Sequence, residues 1–143
     1  MKFATALAGI AALCGTVLAT PIEPREGNLV TRQHATSAQF TGFSASCGAT
    51  SCSYSATATI LPENLVVTFS HTTSGSTIPA NSGAWTSSDP QVRLRFTLSL
   101  GQYRIVLSDT HELGSTITLD HFSPQSEWPG ATSYTGPSSF VAS

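Results

Sequence analysis

Strict alternation of apolar and hydroxyl residues governs the middle of this chain. In Ser53-Tyr54-Ser55-Ala56-Thr57-Ala58-Thr59-Ile60, the residues Tyr54, Ala56, Ala58 and Ile60 fall on one face and hydroxyls on the other. A period of two belongs to a strand with one buried face. After a turn at Pro62-Glu63-Asn64, Leu65 to Ser70 is β-branched and aromatic and predicts a second strand. Val92, Leu94, Phe96, Leu98 and Leu100 then point one way, with Arg93, Arg95, Thr97 and Ser99 pointing the other. Gly101-Gln102 reads as a two-residue type II′ hairpin loop, with Tyr103, Ile105 and Leu107 continuing the apolar face. That loop pairs Leu100 with Tyr103, Leu98 with Ile105 and Phe96 with Leu107. It also sets Arg104 opposite Ser99 and Ser108 opposite Arg95. Further strands are predicted at Ser115 to Phe122 and Ser139 to Ala142. His71 to Pro90, punctuated by Gly75, Pro79 and Gly83, reads as a long loop, a length uncommon unless functional. No stretch carries a helical period. The expected fold class is all-β, an antiparallel β-sandwich or small β-barrel of about six to eight strands.

The N-terminus points to export. Met1-Lys2 supplies a positive start, Phe3 to Leu18 runs without a charge, and Val17-Leu18-Ala19 suits a signal peptidase. This predicts a signal peptide over residues 1–19. The apolar run falls short of the roughly 20 residues of a spanning helix, and no second stretch approaches that length. The expectation is a secreted, extracellular protein with no integral membrane segment. Delivery into host tissue or cells is open to it. Residues 20–37 carry two prolines, a glycine and scattered charge without a period, and read as a flexible tail or pro-segment. Residues 38–143 are then a single β domain.

Removal of residues 1–19 leaves five arginines and no lysine against eight acids, a formal charge of −3. Nucleic-acid binders concentrate lysine and arginine, so no nucleic-acid partner is expected. A protein without lysine would offer a host cytosol no side chain to ubiquitinate, although a charge-poor composition accounts for the absence more simply. None of the three asparagines begins a glycosylation sequon. Cys47 and Cys52, in CGATSC, remain after export. An isolated pair in an exported chain reads as a structural disulfide, and a loop of about six residues gives it roughly 2 kcal/mol. Redox catalysis wants two intervening residues rather than four.

Candidate chemistry is sparse. His34, His71, His111 and His121 are dispersed, with Asp109, Glu112 and Asp120 near the last two. No Gly-x-Ser-x-Gly elbow and no zinc spacing occurs, so no catalytic residue, metal or cofactor is expected. Glu127-Trp128-Pro129 has a superficial likeness to the catalytic segment of guanyl-specific fungal ribonucleases. Those need a later arginine and histidine, and nothing basic follows Trp128. Trp85, Trp128 and Tyr134 lie outside the alternating faces. In Gly/Pro-rich loops they are candidates to stack on a sugar or anchor a partner, or alternatively to cap a sandwich end. Arg93, Arg95 and Arg104 cluster on the polar face of one hairpin, a candidate anion or partner patch as well as an ordinary solvated face.

Phe43-Ser44-Ala45-Ser46-Cys47, followed by Cys52-Ser53-Tyr54-Ser55, resembles a segment, FSASC…CSYSF, of small secreted proteins of filamentous fungi. The chain departs from it at Ala56, where an aromatic is usual, and lacks the further cysteines of the allergen-like members. The resemblance implies secretion, an effector or elicitor role, and a β fold like that of the Alternaria major-allergen family; it carries over no site. The expected function is therefore non-enzymatic binding of a host protein or cell-wall glycan, triggering or suppressing plant defence. A small secreted hydrolase of extracellular polymer and a wall-associated structural or glycan-binding protein are the alternatives.

Overall fold

The computed structural model describes residues 33–143 apart from residue 113. The expected signal peptide and residues 20–32 of the expected tail lie outside the described residues. Among the described residues, eight strands form two antiparallel sheets. The larger contains β1 (Ser37–Cys47), β2 (Ser51–Leu61), β3 (Leu65–Ser74), β4 (Thr86–Ser87) and β8 (Phe140–Ala142), in the order β4-β3-β2-β1-β8. The smaller contains β5 (Val92–Ser99), β6 (Gln102–Asp109) and β7 (Ile117–Pro124), in chain order. Two short 3-10 turns, Gln125–Glu127 and Pro129–Ala131, follow β7. The all-β expectation holds, and the Cys47–Cys52 disulfide is present. Its cysteines are direct cross-strand partners at the mouth of the β1–β2 hairpin.

The sheets face each other through the alternating apolar positions. Tyr54, Ala56, Ala58 and Ile60 of β2 are buried, as are Val92, Leu94 and Phe96 of β5 and Tyr103, Ile105 and Leu107 of β6. β1, which no alternation announced, contains a bulge. Thr41 pairs with Thr57 but Ser44 with Ser55, so β1 has one residue more than its partner. Gly42 takes φ +62 there, a conformation open to glycine. The extra residue turns both Phe40 and Phe43 inward although they are three apart.

Both seams between the sheets are closed by backbone. Residues 80–85 run along β5: the amides of Ser82 and Trp85 donate to Phe96 O and Leu94 O (3.1 and 2.8 Å), and Leu98 N–H donates to Ala80 O (2.7 Å). β4 then joins the edge of β3. At the other seam Ser143 and Asp120 exchange backbone bonds of 3.1 and 3.3 Å. The sandwich therefore approaches a barrel. The stretch read as a loop, 71–90, holds the last turnless part of β3, the 80–85 seam and β4. β3 outruns its expected end at Ser70 because its inward residues become polar and are satisfied by bonds: His71 Nε2 lies 2.7 Å from Ser82 O, and Thr73 Oγ1 lies 2.9 Å from the Tyr54 hydroxyl.

The β5–β6 register corrects the expected one. Leu98 faces Tyr103, Phe96 faces Ile105 and Leu94 faces Leu107, while Arg104 faces Thr97 and Ser108 faces Arg93. The loop is Leu100-Gly101, with φ +49 and +76, the two positive values of a type I′ turn. The difference is a shift of two residues. It keeps every inward residue but Leu100 inward, so parity of the hydrophobic pattern does not tell the two registers apart. Leu100 leaves the apolar face and stands fully exposed at the tip. Leucine in the left-handed region costs on the order of 1 kcal/mol. Leu100→Asn is therefore expected to raise unfolding stability by about 1 kcal/mol in urea titration; an unchanged or lowered midpoint would contradict the turn.

Candidate functional site

The two tryptophans proposed as contact residues are interior. Trp85 is 3 % exposed and Trp128 2 %, so neither indole face is open to a sugar. Each indole N–H is satisfied by a buried serine. Trp85 Nε1 donates to Ser82 Oγ (3.0 Å) and Trp128 Nε1 to Ser123 Oγ (2.7 Å). Phe43 lies between them, with ring centroids 5.8 Å from Trp85 and 6.1 Å from Trp128. Tyr134 is half-buried against the same group, 4.7 Å from Trp128, and its hydroxyl donates to Pro137 O (3.0 Å). Of the two readings of these aromatics, their placement fits capping and packing.

Tyr134 belongs to a polar group inside the aromatic end. Ser123 Oγ donates to Glu127 Oε2. A methyl group at Gly136 would strike both the Tyr134 hydroxyl and the Glu127 carboxylate. Burial, and next the charge of Glu127, push the Tyr134 phenol up to about 12. Burial also raises Tyr54 and Tyr103.

The histidines remain apart. His71 stacks on Trp85 and on Tyr54, with ring centroids 6.2 and 5.8 Å away. His121 stacks on Phe140, with centroids 4.0 Å apart. His34 Nδ1 lies 2.8 Å from Glu112. His111 is enclosed: Nδ1 is 2.6 Å from Asp109 Oδ1 and Nε2 is 2.9 Å from Asp89 Oδ2. Each ring nitrogen faces a carboxylate oxygen. A carboxylate thus stands where a serine nucleophile would have to be, and Asp109 with His111 does not assemble a hydrolytic triad here. The acids lie on opposite sides of the ring, an arrangement that staples the Asp89 loop to the end of β6.

The outward face of the small sheet is different. Its register places Arg93, Ser108 and Thr118 in one row, Arg95, Val106 and Asp120 in the next, and Thr97, Arg104 and Phe122 in the third. Strand spacing sets neighbours in a row about 4.8 Å apart, and rows roughly 6.7 Å apart along each strand. All three arginines of residues 33–143 stand on this face, against one of their six acids. Arg104 Nη2 pairs with Asp120 Oδ2 (2.5 Å). Arg93 and Arg95 are exposed, and among the described residues no carboxylate lies within ion-pair distance of either. Phe122 is 57 % exposed beside Arg104. A cavity of about 220 Å³, lined by Ala84, Arg93, Leu94, Arg95 and Ser108, opens here. The outer face of β1–β3 is its opposite in character: rows Thr41-Thr57-Thr68, Ser44-Ser55-Ser70 and Ser46-Ser53-Thr72 bear hydroxyls and no charge.

Of the candidate residues, the structure gathers the arginines and sends the tryptophans inside. Phe122 was overlooked. The same alternation that put Asp120 outward puts Phe122 beside it, so the signal was present.

Two outcomes follow. Trp85→Ala and Trp128→Ala each cost about 3–5 kcal/mol of stability by calorimetry or urea titration, whereas Arg95→Ala changes it by less than about 0.5 kcal/mol; stable tryptophan variants would contradict a packing role. The tyrosines give a pH dependence. A raised folded pKa means that the folded state keeps protons which the unfolded chain releases near 10. Stability is whole below about pH 10 and falls as pH rises through about 12. Tyrosinate absorbance is expected to grow together with unfolding and not before it; ionisation of all three tyrosines near pH 10 in the folded state would contradict this.

Comparison of the chain with protein families, with curated protein sequences and with solved structures found no match.

Proposed function

We propose that this is a secreted effector- or elicitor-like protein that acts without catalysis, binding a host protein or cell-wall component through the outer face of the β5–β6–β7 sheet. The resemblance of the FSASC…CSYS segment and the N-terminal export pattern support the compartment and the class. The observation that carries the contact face is the segregation of charge. Residues 33–143 hold three arginines and six acids, a formal charge of −3, yet one face has every arginine and a single carboxylate. Asp120 is neutralised by Arg104, which leaves Arg93 and Arg95 without a carboxylate partner among the described residues. Fixed charges so placed steer a complementary partner and set its orientation.

The test uses the purified mature protein and an Arg93→Ala/Arg95→Ala variant, infiltrated into leaf tissue with cell death and defence-gene induction as readouts. The native protein is expected to produce or suppress the response, and the variant to lose the effect while keeping its circular dichroism spectrum and melting temperature. A variant of undiminished activity would overturn the contact face. Inactive native protein at every dose would overturn the effector reading.

A further inference from the structure

We infer that the arginine face takes a carboxylated polysaccharide, a polyuronate, with carboxylates on Arg93 and Arg95 and sugar hydroxyls on the groups beside them. This rests on the reading of that face as the contact surface, and adds the chemistry of its ligand.

A uronic acid polymer presents three kinds of group: a carboxylate on each ring, hydroxyls, and an apolar ring face of C–H bonds. The sheet offers a partner for each. Arg93 and Arg95 are two apart on β5, both exposed, and the cavity they share with Ser108 lies open between them. A guanidinium binds a carboxylate through two parallel N–H bonds, and the Ser108 hydroxyl can donate or accept toward a sugar hydroxyl. Thr118 continues the Arg93 row, and Thr97 follows Arg95 on β5. In the third row Phe122 turns an exposed ring outward, a surface on which a sugar ring packs.

Charge density selects this polyanion over others. Duplex DNA carries one charge per about 1.7 Å of axis and needs many cations to neutralise it; the three arginines of residues 33–143, whose net charge is −3, do not supply them. An anionic bilayer similarly calls for a cluster of four to eight basic residues, on the order of twice what this face holds. A polyuronate carries one charge per sugar, and the face answers it with single arginines, Arg93 and Arg95, that have the neutral, hydroxyl-bearing Ser108, Thr118 and Thr97 beside them.

The experiment titrates a de-esterified oligogalacturonate into the mature protein by calorimetry, beside its methyl-esterified form and a single-stranded oligonucleotide. The expected result is saturable binding of the de-esterified oligomer only, weakened by salt. Arg93→Ala and Arg95→Ala should each weaken it about tenfold, the double variant should abolish it, and Val66→Thr on the other sheet should leave it unchanged. Equal binding of the esterified oligomer, preference for the oligonucleotide, or binding retained by the double variant would overturn the inference. Absence of uronate binding, with a leaf response still lost in the double variant, overturns the ligand and leaves the contact face standing. Arginine-dependent uronate binding in a protein without leaf activity upholds the ligand and overturns the effector reading.

Discussion

Two serine hydroxyls let this small domain enclose two tryptophans. An indole N–H taken from water without a partner costs about 1–3 kcal/mol, and neither Ser82 nor Ser123 can be replaced by a residue lacking an acceptor without incurring it. Ser82 does more than receive Trp85. Its Oγ also accepts the Phe96 amide at 3.0 Å, and its backbone bonds to the same residue. One buried hydroxyl therefore secures both the aromatic interior and the seam along which residues 80–85 join the sheets. Ser123, fully buried on β7, holds Trp128 while donating to Glu127. Tyr134 and Gly136 then close over that end.

Such an interior is complete, and this determines where chemistry can occur. The tryptophans, the three tyrosines, His71 and His121 are occupied with one another, with neighbouring rings or with backbone. Asp89, His111 and Asp109 satisfy each other. Among the described residues, what remains open to a partner is outside: the Arg93 and Arg95 guanidinium groups, an exposed phenylalanine and hydroxyls in rows, while Arg104 Nε and Asp120 Oδ1 are buried without a hydrogen-bond partner. Contrast between the two outer faces, one uncharged and rich in hydroxyls and one with all three arginines of residues 33–143, is the clearest asymmetry in the domain.

How much could be read in advance depended on whether the side-chain pattern and the backbone agreed. Where they agreed, as in β2 and β5, alternation located the strand and its buried face. β1 was illegible because its bulge breaks the period at Gly42. The end of β3 was illegible because hydrogen bonds, not hydrophobicity, hold His71 and Thr73 inward. The β5–β6 register was ambiguous by two residues, a displacement to which parity is blind. For Trp85 and Trp128, Gly/Pro-rich neighbours left contact and capping both open; the serine partners that decide for the interior, three and five residues earlier, are too common a residue type to signal it. The arginine face was legible as a cluster, but its isolation from the acids needed coordinates.

The bulge at Gly42 divides β1 into two lengths with opposite phase. Residues 38–41 lie between β2 and β8, whereas residues 44–47 lead to the disulfide and are bounded by residues 132–134 on their other edge. A regular strand can slide along its neighbour by two residues and find its pattern restored. This one cannot, since any slip would carry the bulge away from the glycine that permits it and return one of the two phenylalanines to water. This inner strand of the larger sheet is thereby keyed to a single alignment, like a notched shaft in its collar, and a chain full of interchangeable serines and threonines is prevented from mispairing.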